Sequence, residues 1–288
     1  MSEKSAAFPD FQIIKATQDN FDEIADFLNQ NHRVHRHLDW FATTDWLGNQ
    51  PFLIQFMEDQ IQAVLCATPE NKETAWVRTF GVLSQLEANQ PWQQLLEAAV
   101  DMLNQMEIEQ LGALALHPWF KTLLTNSDFR NLQNIVVLEW EGNLPGKPKR
   151  ETDIEIRPMR LRDLPDVHEI DQLAFSPLWQ NSLEGLTRAF NQTGISTVAL
   201  KDGIIVGYQI STSMTIYGHL ARLAVHPEIQ RQGIAYALVY DLLAQFDRMG
   251  FWRVTVNTQS NNSPSLNLYK QFGFKRTHEE IPVYVLDL

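Results

Sequence analysis

The apolar pattern of this 288-residue chain runs twice through one order of elements, and that repetition limits its folds more than any other feature. A strand, a helix, a loop region, strands, a long helix, a strand, a short helix and a terminal strand follow one another on each side of residues 142–150. The first copy opens with Phe11-Gln12-Ile13-Ile14 and a helix around Phe21, Ile24, Phe27 and Leu28; the second opens with Ile154-Glu155-Ile156 and a helix around Leu164, Val167 and Ile170. Ile61 to Ala67 and Ala75 to Val82 match Ile204 to Ser211 and His219 to Val225 in character. Apolar residues at three- and four-residue intervals then predict long helices from about Pro91 to Met106 and from about Gly233 to Met249. Ile135 to Leu138, after Phe129-Arg130, and Ile281 to Val285, after Phe274-Lys275, close the two copies.

Strands alternating with helices and ending in a strand-rich segment predict an α/β fold of α+β type, a mixed and mostly antiparallel sheet flanked by helices in each copy. Gly142 to Arg150 holds two glycines, two prolines and three basic residues without apolar periodicity, which reads as a linker. The expected division is a flexible N-terminus at 1–10, domains at 11–141 and 153–288, and a linker at 142–152.

Within the second copy, Leu220 to Val225 reads as a short strand that Pro227 ends, and a helix begins near Gly233. That is the geometry of a phosphate cradle. The first N–H groups of a helix have no partner inside it, and the helix dipole adds partial positive charge at the same end. Gly233 permits close approach, Ala235 keeps the second wall small, and Arg231 can add charge-assisted bonds to outer phosphate oxygens.

The run Gln230-Arg231-Gln232-Gly233-Ile234-Ala235 resembles the Q/R-x-x-G-x-G/A signature of the GNAT acyltransferase superfamily, with Ala235 as an accepted variant. Leu223-Ala224-Val225-His226-Pro227 resembles that family's strand before the loop. Asn262-Ser263-Pro264-Ser265-Leu266-Asn267-Leu268-Tyr269-Lys270-Gln271-Phe272-Gly273-Phe274 resembles its N-x-x-A-x-x-L-Y-x-x-x-G-F segment. The resemblance covers residues 153–288, and only the element order extends it to the first copy. It implies a tandem GNAT protein that uses acetyl-CoA, with Gln230 to Ala235 on the pyrophosphate and the main chain of Leu223 and Val225 on the pantetheine arm. Asn262 borders that arm by the same carry-over, although an asparagine before Pro264 also serves a turn.

Tyr269 matches the family tyrosine that protonates the departing thiolate, and an ordinary phenol is protonated at neutral pH. Many members place a glutamate base on the strand before the loop, and this strand has none. His219 falls near one such position and is the candidate base, with His226 and Glu228 weaker ones because they fall toward the phosphates. Phe175, Trp179 and Gln180 occupy the region that often forms the acceptor wall in this family.

The first copy reads Ser84-Gln85-Leu86-Glu87-Ala88-Asn89-Gln90-Pro91 where the phosphate loop would lie, without glycine and with an acidic side chain. Aligning Phe129 with Phe274 sets Leu124 opposite Tyr269. A catalytically silent first half is the expectation. His32, His35, His37, Trp40 and Trp46 form a polar-aromatic stretch read as a packed loop, and no metal site is expected because the His-x-His spacing lacks cysteines or paired carboxylates.

A formal charge of −12 repels a phosphate backbone, which argues against nucleic acid and suits a cationic amine. Every hydrophobic segment is interrupted too soon for a membrane span. The single cysteine, Cys66, and the absence of a signal-like start point to the cytoplasm. The expected activity is acetyl transfer to a primary amine of a small molecule or peptide, with homodimerisation left open. The rivals are a non-catalytic acyl-CoA-binding or sensor protein and a transferase of longer acyl or aminoacyl groups.

Overall fold

The computed structural model describes residues 11–30, 33–142, 144–145, 153–214 and 217–288, the Met214 side chain excepted. The stretch 1–10, His32 and most of the linker 142–152 lie outside them. In chain order the first elements are β1 (Gln12–Lys15), α1 (Phe21–Gln30), β2 (Arg33–Arg36), β3 (Phe52–Met57), β4 (Gln60–Cys66), β5 (Thr74–Trp76), β6 (Thr79–Val82), α2 (Asn89–Gln105), β7 (Gln110–Leu114), α3 (Pro118–Thr125) and β8 (Arg130–Glu141). They continue with β9 (Ile154–Pro158), α4 (Leu164–Ala174), α5 (Leu183–Asn191), β10 (Ile195–Lys201), β11 (Ile204–Met214), β12 (Tyr217–Val225), α6 (Ile234–Arg248), β13 (Arg253–Gln259), α7 (Ser263–Gln271) and β14 (Lys275–Asp287).

The chain packs as two compact units, Met1–Asn131 with Tyr284–Leu288, and Leu132–Val283. In the first unit, antiparallel strands lie in the order β1-β3-β4-β6-β2, and β5 pairs in parallel with β7. Helix α2 buries Trp92, Leu95, Leu96, Ala99 and Leu103, a spacing that puts all five on one face. The polar-aromatic stretch packs as expected: His35 stacks on Phe120 with ring centroids 3.9 Å apart, and Trp46 lies against Phe41 at 4.4 Å. Burial holds His35 neutral by lowering its pKa to about 3 and pushes the Cys66 thiol up to about 12, so neither is reactive at neutral pH. Among the described residues no group of three His, Cys, Asp or Glu side chains could hold a metal, and no helix is long and apolar enough to cross a membrane.

The second unit's strands run β14-β8-β13-β12-β11-β10-β9. All pairs with a defined register are antiparallel except β12 with β13, so the sheet is mixed, as its sequence predicts. Asp202 and Gly203, both at positive φ, close the β10–β11 hairpin in two residues, the turn that matches strand twist. Helix α6 buries Ile234, Leu238, Val239, Leu242, Leu243 and Phe246, and Gly250 at φ +81° ends it. Val254, Val256 and Thr258 alternate inward along β13 while Arg253, Thr255, Asn257 and Gln259 alternate outward.

The packing units do not follow the expected copies at 11–141 and 153–288. Strand β8, which closes the first copy in sequence, pairs with β13 from Glu141↔Arg253 to Ile135↔Gln259 in the second unit. The end of β14 belongs to the first unit, where the Leu288 N–H bonds the Glu109 carbonyl at 2.9 Å. The first copy's closing strand thus lies in the second unit, and the last residues of the second copy's closing strand lie in the first. Leu138 and Trp140 on β8 are 4% and 1% exposed and share an apolar cluster with Val254 and Val256, so each contributes roughly 1.5–3 kcal/mol of burial to the second unit. Residues 153–288 made alone, lacking β8, should therefore aggregate or unfold without a cooperative transition, whereas 132–283 should melt cooperatively. Thermal melts of both fragments check this, and a soluble, cooperative 153–288 would contradict this division.

Candidate active site

The centre of the second unit is a parting of two strands. Strands β12 and β13 pair in parallel from Tyr217↔Arg253 to Leu220↔Val256, then separate although both continue. On its other side β12 pairs Leu220 with Ser211 and Arg222 with Ile210, leaving Ala221 without a counterpart. This β-bulge adds local twist at the residue where the parallel pairing ends. The His226 N–H bonds the Val206 carbonyl in β11 at 2.9 Å, so strand alternation turns the backbone groups of Leu223 and Val225 the other way, into the gap. One of them is already engaged, because Gln230 Nε2 donates to the Val225 carbonyl at 3.1 Å.

The gap holds a cavity of about 180 Å³. Leu220 to Leu223 line it from β12, Val256 to Gln259 from β13, Asn262, Ser265 and Tyr269 from α7 and its start, and Phe175 and Trp179 from the segment after α4. Ile135 of β8 completes the lining and was not foreseen, since the sequence assigns it to the other copy.

At the end of β12 the chain turns through Pro227–Ile229 and enters α6 at Gly233, which has φ +86°. A side chain there would be strained, which is why glycine occupies the position. Arg231 also has positive φ, at 62°, and Arg231, Gln232 and Gly233 are exposed. Ala237 is the first residue of the helix whose N–H is tied back, to the Gly233 carbonyl at 2.9 Å. The N–H groups before it point out of the helix end. Ile234 is buried and Ala235 packs against the cluster it forms with Val225 and Leu238, while Gln232 accepts from Lys201 Nζ at 3.0 Å, bringing a second cation to the loop besides Arg231. The arrangement can receive a polyanion on main-chain donors.

Helix α7 places the tyrosine. Asn262 caps it, its Oδ1 accepting the Ser265 N–H at 3.2 Å, and also lines the cavity, so the turn-forming and site-bordering readings of this residue are compatible. Gly273 at φ +86° then returns the chain so that the Phe274 ring lies 5.5 Å from that of Tyr269. Tyr269 is 4% exposed, and burial raises its pKa above the ordinary phenol range, so it holds its proton at any physiological pH.

His219 is placed differently. It is not among the residues lining the cavity, and its Nδ1 lies 2.8 Å from Thr255 Oγ1. Burial lowers its pKa, opposed by a hydrogen bond with the Thr255 main chain, so the ring is neutral at pH 7 but a weaker base than a free histidine. His226 Nδ1 accepts the Glu228 N–H within the loop. Phe175 and Trp179 reach the cavity; Gln180 instead holds the main chain, donating to the carbonyls of Gln172 and Phe175.

At the equivalent place the first copy carries buried apolar side chains. The alignment that sets Phe129 opposite Phe274 sets Phe120 opposite Ser265 and Leu124 opposite Tyr269, and both are fully buried. Phe120 stacks on His35 and meets Trp92 edge-on with ring centroids 5.4 Å apart. Rings occupy the space that a serine leaves open.

The profile of the Acetyltransferase (GNAT) family matches residues 164–274. The [ribosomal protein bS18]-alanine N-acetyltransferase of Escherichia coli strain K12 is 26% identical over 121 residues, 41% of this chain and 79% of that protein. An N-alpha-acetyltransferase of Sulfurisphaera tokodaii is 29% identical over 146 residues, 44% of this chain and 83% of that protein. Over nearly the whole chain the fold is that of a tandem GNAT protein from the clavulanic acid biosynthesis pathway, with a TM-score of 0.65, 12% identity and coverage of 96% of this chain and 98% of that one. A GCN5-related N-acetyltransferase from Anabaena variabilis superposes with a TM-score of 0.70 at 14% identity, over 96% of this chain and 72% of that one. Family match, curated relatives and fold agree with the parted strands and open helix start: this chain has the tandem GNAT fold, and its second half is a GNAT-family N-acetyltransferase domain.

Proposed function

We propose that the second unit transfers the acetyl group of acetyl-CoA to a primary α-amine of a peptide or small molecule, with Tyr269 as the acid. The observation that carries this reading is that Tyr269 lines the same 180 Å³ cavity as Leu223 and Asn262, beside the parted strands. The pyrophosphate would rest on the N–H groups of Arg231 to Tyr236 and the pantetheine arm on the main chain of Leu223, with Arg231 adding charge. The amine would approach past Phe175 and Trp179. As its nitrogen bonds to the acetyl carbon, the C–S bond breaks, the sulfur takes the Tyr269 proton, and the nitrogen gives up one proton to solvent, which returns one to the Tyr269 oxygen.

An α-amine suits this site better than a lysine. Cavity-lining polar residues are Arg222, Asn257, Thr258, Gln259, Asn262, Ser265 and Tyr269, with no carboxylate or imidazole among them. An amine that must arrive neutral does so far more often with a pKa of about 8, as for an α-amino group, than about 10.4, as for lysine. The curated relatives named above act, by their names, on alanine and on α-amines. His219, one residue before the cavity lining, would take part only through Thr255 or water. A role as acyl-CoA binder without turnover is not favoured, because it would leave the buried, protonated Tyr269 without a use. The first copy, with Glu87 at its loop and Phe120 and Leu124 in its interior, is read as silent.

The Gly233→Glu chain should lose acetyl-CoA affinity by about 10²-fold or more, since it adds backbone strain at positive φ and a like charge at the pyrophosphate. Calorimetry of the full-length protein decides this, and an unchanged dissociation constant would remove the loop from the binding site. Tyr269→Phe should bind acetyl-CoA within about twofold of wild type while kcat falls by roughly 10²–10⁴, the worth of a positioned acid. Thiol release, measured with the best acceptor from a panel of alanine-first peptides and small amines, is the readout. Wild-type turnover in this variant would mean that another group protonates the thiolate.

A further inference from the structure

Arg222 follows the Ala221 bulge and lines the cavity, yet it is tied away from the reacting centre. Its Nε and Nη2 donate to the two Asp171 oxygens at 2.8 and 2.9 Å, Nη2 also donates to the Trp179 carbonyl at 2.6 Å, and the guanidinium carbon lies 3.6 Å from the Phe175 ring centroid. The Asp171 side chain is fully buried. Besides Arg222 it accepts the Tyr208 hydroxyl and the Asn181 N–H, the latter at 2.8 Å. Gln172 Nε2 donates to the Asn181 carbonyl, and Gln180 bonds back to Gln172 and Phe175. One ion pair thereby joins α4, β11, β12 and the whole segment Phe175–Asn181.

The first unit repeats the device. The last parallel rung there is Trp76↔Gly112, and Arg78 lies two residues beyond it, as Arg222 lies two residues beyond Leu220↔Val256. Arg78 pairs with Asp39 at 3.0 Å and with Glu70, and stands 4.4 Å over the Trp46 ring. An arginine kept in a copy without the glycine loop or the tyrosine is not needed for the chemistry itself. The difference lies in the ring beneath it: Trp46 is 8% exposed and part of a core, whereas Phe175 and Trp179 face the cavity.

We infer that Arg222 is a positioning residue for the acceptor: with Asp171 and Tyr208 it fixes Phe175 and Trp179 as a rigid wall of the cavity. The inference rests on the reading above that the amine enters past these two rings. A buried ion pair adds little net stability over apolar packing, but its directional bonds admit one arrangement of the segment they hold. Lysine cannot reproduce it, because an ammonium is a compact charge without the planar fork that spans a carboxylate, a carbonyl and a ring face at once.

The test uses full-length Arg222→Lys, which retains the charge opposite Asp171. Amides of residues 175–181 should exchange about tenfold faster, the equivalent of one lost hydrogen bond to a charged group. Amides of α6 and the acetyl-CoA dissociation constant should stay within about twofold of wild type. With an alanine-first peptide as acceptor, KM should rise about tenfold while kcat changes by less than about threefold. Faster exchange spread evenly over the second unit would make the ion pair merely structural, and unchanged exchange at 175–181 would equally overturn the inference. If wild type acetylates neither the peptide nor any α-amine of the panel, the proposed acceptor class falls, while the exchange measurement still decides the role of Arg222. Should Arg222→Lys not fold, Tyr208→Phe removes one bond to Asp171 and should loosen the same segment alone by about threefold.

Discussion

Two strands that start parallel and then part are what the second unit is organised around. A continuous ladder from Leu220↔Val256 onward would satisfy every backbone group of β12 and β13 and leave nothing for a ligand. The Ala221 bulge ends the ladder there. From that single irregularity follow the free main chain of Leu223, the space lined by Tyr269 and Asn262, and the aim of β12 toward the turn that delivers Gly233. A parted pair is costly unless something holds it, and Gln230 on the Val225 carbonyl and Arg222 on Asp171 are two of the tethers that do so.

What the sequence disclosed is what is local in it. The strand, the turn at Pro227 and the helix at Gly233 are contiguous in the sequence; the strand ends at Val225 as expected, although it starts three residues earlier than Leu220, and the helix agrees to within one residue at each end. Tyr269 lies within a contiguous segment whose capping asparagine and closing glycine can be read by eye. Arg222 could not be found that way. Its partner Asp171 lies 51 residues earlier on a helix, where an aspartate ordinarily faces solvent, and nothing in the spacing reveals that it is buried. His219 shows the converse: a plausible position along the strand, but a side chain committed to Thr255.

The placement of the closing strands was illegible for a different reason. Ile135 to Leu138 and Ile281 to Val285 carry the same apolar alternation, so either could complete either sheet, and sequence order makes the wrong choice the natural one. The consequence is functional, since Ile135 from before the linker lines the cavity of the second unit. Duplication has thus left two copies that differ in what fills the interior: Ser265 and Tyr269 in one, Phe120 and Leu124 in the other. Glu87 at the first loop and these two buried apolar side chains are separate differences from the second copy.

The proposed function requires that acetyl-CoA be received by the main chain of the second copy alone. Amide hydrogen exchange of the intact protein, with and without saturating acetyl-CoA, tests it directly. Protection of about tenfold or more should appear at Leu223 and at Ile234, Ala235 and Tyr236, whose N–H groups would gain partners, with no change across Ser84 to Trp92. Equal protection in both copies, or none at Leu223 and the start of α6, would contradict it.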